Sequence, residues 1–420
     1  MIRHSATLAI DEKIRARRAV GQSVIHLGFG EAGLPVLPAI ADALADAAGE
    51  NGYGSVVGSE RVQAAVAGYY GRRNLPTDAG QVILAPGSKA LLYAALAALP
   101  GDVVLPEPSW VTYAAQAQLT GKRVIGVPIP AAAGGVPDPD RLEPALAAAR
   151  AVGADPRILV LTVPDNPTGT TAGADLVRQV CDLAERHDLM IVSDEIYRDL
   201  TFDPDRHLSP ATVLPERTVV TGGLSKSMAL GGWRIGFART PDGAAGATLL
   251  RHMVGIASEV WSSLAAPMQA AAAFVLDEPP AVTEHLAASR RLHAAVVRAV
   301  HGVFVRAGAH CRPPDAAFYL YPDLEPLRDR LSVHGIDTGA ALADHLLDEH
   351  GVGVLAGEHF GDDPKALRFR VATSLLYGRT AEQRWAALRS PDPVSLPWIA
   401  DALDELTAAL AALGGRPRLT

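Results

Sequence analysis

Between residues 78 and 240 the chain alternates short apolar runs with helical patterns, and this alternation limits the fold more than any other feature. Strands are expected at 81–85, 102–105, 123–127, 158–163, 190–193, 218–222 and 235–238. Helices are expected at 88–99, 110–119, 141–151 and 175–187. Strands separated by helices pair through crossovers, so the pattern predicts a largely parallel sheet with helices on both faces. A further helical stretch, 265–276, stops at Pro279-Pro280, and another fills 282–307. Apolar runs near 318–320, 352–356 and 367–372 suggest a smaller α+β unit. The expected organisation is an α/β chain in three parts. An N-terminal arm over 1–45 packs on the small domain, a large domain covers 46–278, and a small C-terminal domain covers 279–420.

Composition removes several classes of function. A chain of 420 residues that is 49% hydrophobic and 20% charged is globular and long enough for two domains. The net charge of −8, with no long basic run, argues against nucleic acid as a partner. Cys181 and Cys311 are the only cysteines and form no CxxC spacing, so neither a disulfide framework nor a metal site is expected. No apolar stretch reaches the length of a membrane span without a proline or a charge, and residues 1–19 lack a signal-peptide core. The expectation is a cytoplasmic protein with no membrane partner.

Chemistry-bearing residues follow five of the expected strands. Gly87-Ser88-Lys89 comes after the first, and Pro106 to Trp110 after the second. Asp165-Asn166-Pro167-Thr168-Gly169 follows 158–163, and Asp194-Glu195-Ile196-Tyr197 follows 190–193. Lys226 follows 218–222, with Arg234 eight positions on, past a glycine pair. Ligand sites of open parallel sheets lie beyond the carboxyl ends of the strands, so these groups belong at one edge. Their chemistry is mutually consistent. Amides of Ser88 and Lys89 at a helix N-terminus suit a phosphate. Trp110 offers a flat face to a ring. Asn166 and Tyr197 can donate to a phenolate oxygen, and Asp194 can keep a pyridinium nitrogen protonated. Lys226 supplies an amine for a Schiff base, while Arg234 and Ser225 complete a phosphate cradle.

With these pieces placed, the chain resembles the fold-type I pyridoxal-phosphate enzymes, in particular the class I/II aminotransferases of the aspartate-aminotransferase-like superfamily. The matching segments are GSKALL, PSWVTY, DNPTG, SDEIY and LSKSMALGGWRIG, followed by PPDAAFYL, GVGVLAGEHFG and ALRFRVATS. The resemblance implies the fold of those enzymes and pyridoxal 5′-phosphate as cofactor. It implies an internal aldimine on Lys226, which also shuttles the proton. Asp194 would sit on the pyridine nitrogen, Asn166 and Tyr197 on the 3′-oxygen, and Trp110 on the ring. Gly87, Ser88, Lys89, Ser225 and Arg234 would hold the phosphate. Tyr53 matches a tyrosine that reaches the phosphate of a neighbouring subunit, which implies a homodimer. Arg370 and the backbone of Gly30 would bind the substrate α-carboxylate. Spacing leaves Arg368 as a rival, since the two arginines share a strand face, but the family's arginine starts a run of the form R-x-[SA]-x-[AS], which favours Arg370.

Other signals compete with this reading. Gly28-Phe29-Gly30-Glu31-Ala32-Gly33 spells GxGxxG, but Pro35 and Pro38 fall where a dinucleotide-binding helix should begin. Residues 222–227 imitate a P-loop, yet no glycine immediately precedes Lys226. His26 and His359 fall in segments the resemblance places near substrate, and Trp261 where subunits would meet. Gly223 stands where relatives carry Ser or Thr, leaving Thr221 or Ser88 to replace a phosphate contact. Asp165 replaces a frequent asparagine. The segment 376–398 is longer than usual. Amino-group transfer between an α-amino acid and a keto acid is therefore the first expectation. Elimination, replacement, oxidation or cyclisation on the same site is the second. No arginine occurs in 257–266, which tilts the expected substrate toward an apolar or aromatic side chain.

Overall fold

A computed structural model describes residues 5–413. Its centre is a seven-stranded sheet: β1 (Val82–Pro86), β2 (Asp102–Glu107), β3 (Val124–Pro128), β4 (Pro156–Thr162), β5 (Met190–Asp194), β6 (Thr218–Gly223) and β7 (Ile235–Arg239). The strand order is β1-β7-β6-β5-β4-β2-β3. Every expected strand is present, and β2 to β6 run parallel. Only β7 is reversed, antiparallel to both β6 and β1. Its connection to β6 is one turn of helix, Leu224–Ser227, and the turn Gly231–Trp233. A link of that size returns the chain alongside itself rather than across the sheet. The N-terminal end of β7 therefore lies at the same edge as the C-terminal ends of its neighbours.

Both faces of the sheet are covered. Ile158 and Val160 of β4 pack with helices Ser88–Ala98, Val111–Leu119 and Gly243–Val260. Leu159 and Leu161 pack with helices Pro139–Ala151 and Ala174–Arg186. Central strands buried on both faces read as continuous apolar runs, which is why the sequence placed them well. Helices Pro38–Asp46, Glu60–Gly71 and Ala266–Leu276 form another core with Leu84, Val220 and Phe237.

The later residues build a separate core. It joins the C-terminal half of helix Pro280–Arg306 with helices Gly339–His350 and Pro397–Leu413. Its small antiparallel sheet has the order Leu355–Ala356, Phe369–Ala372, Tyr319–Leu320. The start of the chain is tied to this part. Ile25–His26 pairs with Val352–Gly353, and in helix Ala6–Ala19 Lys13 Nζ donates to Asp344 at 2.9 Å. Helix Pro38–Asp46 instead buries Ile40 with Val62 and Ala271. No helix among the described residues is long and apolar enough to cross a membrane.

Candidate active site

The sheet edge anticipated from the sequence opens into a cavity of about 550 Å³. Ser88, Lys89, Trp110, Asn166, Asp194, Tyr197, Ser225, Lys226, Arg234, Gly30 and Arg370 all line it. Lys226 lies in the single helical turn after β6 and donates from Nζ to the Gly30 carbonyl. Burial, and then the nearby Arg370 guanidinium, pull its amine down to about 8. An ordinary lysine is fully charged at neutral pH; this one has an appreciable uncharged, nucleophilic fraction.

Asp194 is the last residue of β5 and is 1% exposed. Tyr113 Oη donates to Oδ2 at 2.8 Å, and Thr221 Oγ1 and Ile196 N donate to Oδ1 at 3.3 Å. Burial raises the carboxyl to about 6 against these three hydrogen bonds. All three donors are neutral, so the carboxylate has no cation of its own. Thr221 is therefore committed to Asp194 rather than to a phosphate, whereas Ser88, the other candidate for the missing contact, lines the cavity.

The phosphate-type cradle combines close-packed glycine backbone with the Arg234 guanidinium. Gly87, at φ +87°, precedes helix Ser88–Ala98. A Cβ there would stand 2.0 Å from Arg234 Nη2. A Cβ on Gly236 would stand 2.3 Å from Ser88 N. Arg234 is held in the left-handed region and donates from Nη1 to Gly231 O at 2.8 Å and to Ser225 Oγ at 3.3 Å. A helix N-terminus facing a guanidinium favours an anion between them. The Lys89 ammonium lies 5.2 Å from the centre of the Trp110 ring, and burial, then Arg234, lower its pKa.

Arg370, from the strand Phe369–Ala372, closes the other side. It is 1% exposed, donates from Nη2 to Gly28 O at 2.8 Å and from Nη1 to Asn166 Oδ1 at 3.1 Å, and leaves Nε without a partner. Arg368 is accounted for elsewhere, paired with Asp323 at 2.8 Å and Asp362 at 3.2 Å. With Asn166 Oδ1 occupied by Arg370, its amide NH₂ remains to donate. Tyr197 Oη meets Tyr319 Oη at 2.9 Å.

The sequence reading overlooked several residues of the site. Tyr113 has a weak signal: three positions after Trp110, it shares that residue's helix face, and the two rings meet edge-to-face at 5.3 Å. Tyr319 has none, because its neighbours Tyr197 and Arg370 are remote in sequence. Ser5, Thr7, Leu8, Arg15, Phe29 and Glu31 line the mouth. Tyr53 does not face its own chain's cavity; it is 87% exposed, its carbonyl accepting from Ser263 Oγ. His26 and His359 are absent from the cavity wall, as is the segment 376–398. Gly223 has a packing reason, since a Cβ there would stand 2.7 Å from the Ile235 carbonyl.

These donors fit pyridoxal 5′-phosphate. The cavity holds a part-neutral amine, a buried carboxylate without a cation, and an anion cradle between a helix N-terminus and the Arg234 guanidinium.

Comparisons with known proteins show the family of the chain. The family model for aminotransferase class I and II matches residues 22–375. An aspartate/prephenate aminotransferase of Cereibacter sphaeroides is 33% identical over 88% of this chain and 92% of its own length. An arginine–pyruvate transaminase of Pseudomonas aeruginosa is 32% identical over 85% of this chain and 87% of its own. Among solved structures, Thermus thermophilus aspartate aminotransferase with maleate superposes with a TM-score of 0.80 at 25% identity, covering 97% of each chain.

Proposed function

The chain belongs to the class I and II aminotransferases and transfers amino groups, and from that premise we propose that it does so with pyridoxal 5′-phosphate attached at Lys226, between an α-amino acid and a keto acid. The observation that carries this is the meeting of Lys226, Asp194 and Arg370 in one cavity. The bound cofactor supplies an aldehyde for the amino group and a ring that draws electrons from the substrate Cα.

The chain's own residues do the rest. Arg370 takes the substrate carboxylate as a charge-assisted pair, with Gly30 beside it. That pair fixes the Cα–H bond toward Lys226. Lys226 Nζ, lowered to about 8, accepts the Cα proton and later returns one. Asp194 holds a proton on the ring nitrogen; a cation there is what its buried carboxylate lacks. Asn166 and Tyr197 would donate to the cofactor's ring oxygen, Trp110 would offer its ring face, and Ser88, Lys89, Ser225 and Arg234 with Gly87 would hold the phosphate. Tyr53 reaches the site of a neighbouring subunit, making the working unit a homodimer in the cytoplasm. In this reading residues 46–278 form the cofactor domain and 279–420 the small domain, with 1–45 as an arm.

Neither feature that suggested other chemistry, Gly223 or the segment 376–398, touches the cavity. The test is borohydride reduction of the loaded protein followed by peptide mapping. The adduct is expected on Lys226; an adduct elsewhere, or none, overturns the assignment. Incubation with an amino acid alone should convert the cofactor stoichiometrically to its amine form. Continuous turnover without a keto acid would count against transamination.

A further inference from the structure

A second cavity, of about 300 Å³, lies between the start of the chain and its last helix. Arg18, His26, Arg379, Gln383, Asp401 and Glu405 line it, with Trp398, Leu375 and Leu376 as apolar wall. No ion pair joins Arg18, Arg379, Asp401 or Glu405 to one another or to any other group among the described residues, while His26 is paired with Asp11. The Arg379 guanidinium has no partner among them, although its backbone N–H donates to Gln383 Oε1 at 2.8 Å. Arg18 donates only to the Val24 carbonyl, at 2.7 Å. The two guanidiniums are close enough that Arg379 lowers the pKa of Arg18, after burial. Asp401 and Glu405 stand one helical turn apart in Pro397–Leu413, a like-charge arrangement that disfavours the free surface. His26 is 4% exposed. Its Nε2 meets Asp11 Oδ1 at 2.9 Å, while Nδ1 has no partner.

Two unpaired cations, two unpaired anions and a buried imidazole nitrogen thus surround one small space without neutralising each other. A ligand with a single charge would satisfy one pair and repel the other. We propose that this cavity binds a free α-amino acid as its zwitterion, the carboxylate between Arg18 and Arg379 and the ammonium toward Asp401 and Glu405, with the side chain against Trp398. The site is separate from the catalytic cavity and does not depend on the cofactor assignment. It lies behind two segments of the catalytic cavity. The strand Ile25–His26 runs on to Gly28 and Gly30, whose carbonyls accept from Arg370 and Lys226. Leu375 follows Ser374, which donates to Glu31 O.

The experiment is calorimetric titration of the cofactor-loaded enzyme with α-methylleucine, a zwitterion without the Cα hydrogen needed for turnover. Two binding events per chain are expected. Arg379→Glu, and separately Asp401→Asn with Glu405→Gln, should weaken one event at least tenfold and leave the other. Arg370→Ala should do the reverse. A single event, lost with Arg370→Ala and unchanged by the cavity variants, overturns the proposal. So does inorganic phosphate or methylammonium competing as well as the amino acid, which would mark a simple ion site. Arg379, Asp401 and Glu405 are exposed, so near-UV circular dichroism should confirm that these variants fold.

Discussion

Asp194 and Glu195 are neighbours in sequence, both buried carboxyls, and their surroundings are opposite. Glu195 turns away from the catalytic cavity toward a cluster of its own. Burial would raise it, but His207 at 3.2 Å, Arg198 at 3.1 Å and the Ser209 hydroxyl hold it down to about 2. Asp194 has only neutral donors and rises to about 6. The same contrast separates Arg368, paired with two carboxylates, from Arg370, bonded only to neutral acceptors. In each pair, the residue whose charge the protein balances internally is structural. The residue left with neutral partners faces the cavity, where on the proposed function a ligand supplies the opposite charge.

The comparison can be broken in several places. The largest effect belongs to Lys226→Ala, which should lower kcat/KM by on the order of 10⁴-fold and abolish the borohydride adduct while the fold persists. Next comes the acid pair. Asp194→Ala should cost roughly 10²- to 10³-fold in kcat with little change in melting temperature. Glu195→Gln should do the converse. Breaking a buried pair should remove about 3–5 kcal/mol of stability in urea unfolding while leaving kcat within a few-fold below the transition. Equal loss of kcat in both would erase the distinction.

The two carboxyls should also respond oppositely to pH. Asp194 has a folded pKa above its unfolded value, so the cofactor-free protein binds the extra proton. Its contribution is present below about pH 4 and lost as pH rises through 6, about 3 kcal/mol at most. Glu195 has a depressed pKa, so its contribution is present above about pH 4.5 and lost as pH falls toward 2. Urea titrations of wild type and of Asp194→Asn between pH 4 and 7 should diverge, the variant lacking the decline.

Smaller again is the arginine pair. Arg370→Lys should raise KM about 10- to 100-fold through loss of the planar fork, whereas Arg368→Lys, half-exposed, should change it by no more than about threefold. Smallest is Tyr113→Phe, which removes one donor to Asp194. It should lower kcat about threefold to tenfold and lift the Asp194 titration further.

These contrasts also show what the sequence could and could not reveal. β4, β5 and β6 are buried on both faces, so their apolar runs were unmistakable, and the polar turns after them marked the cavity edge. The reversal of β7 was not anticipated, yet it follows from the short link after Lys226. Alternation along 368–370 could not choose between the arginines, because the deciding carboxylates, Asp323 and Asp362, come from other turns of the small sheet. Tyr113 and Thr221 were in view without their role, since a hydrogen bond to Asp194 depends on which helix and strand flank β5. Gly223 looked like a lost hydroxyl, and its cause is the approach of the Ile235 carbonyl.

The reversed strand has one more consequence. Lys226 and Arg234 both lie in the short link between two adjacent antiparallel strands, so the distance between the two anchors is set within one local segment of chain. Arg370 hangs from a different sheet with a core of its own, and its distance from Lys226 is set by how two cores meet. On the proposed function, the cofactor would be measured with a fixed ruler and the substrate with a caliper.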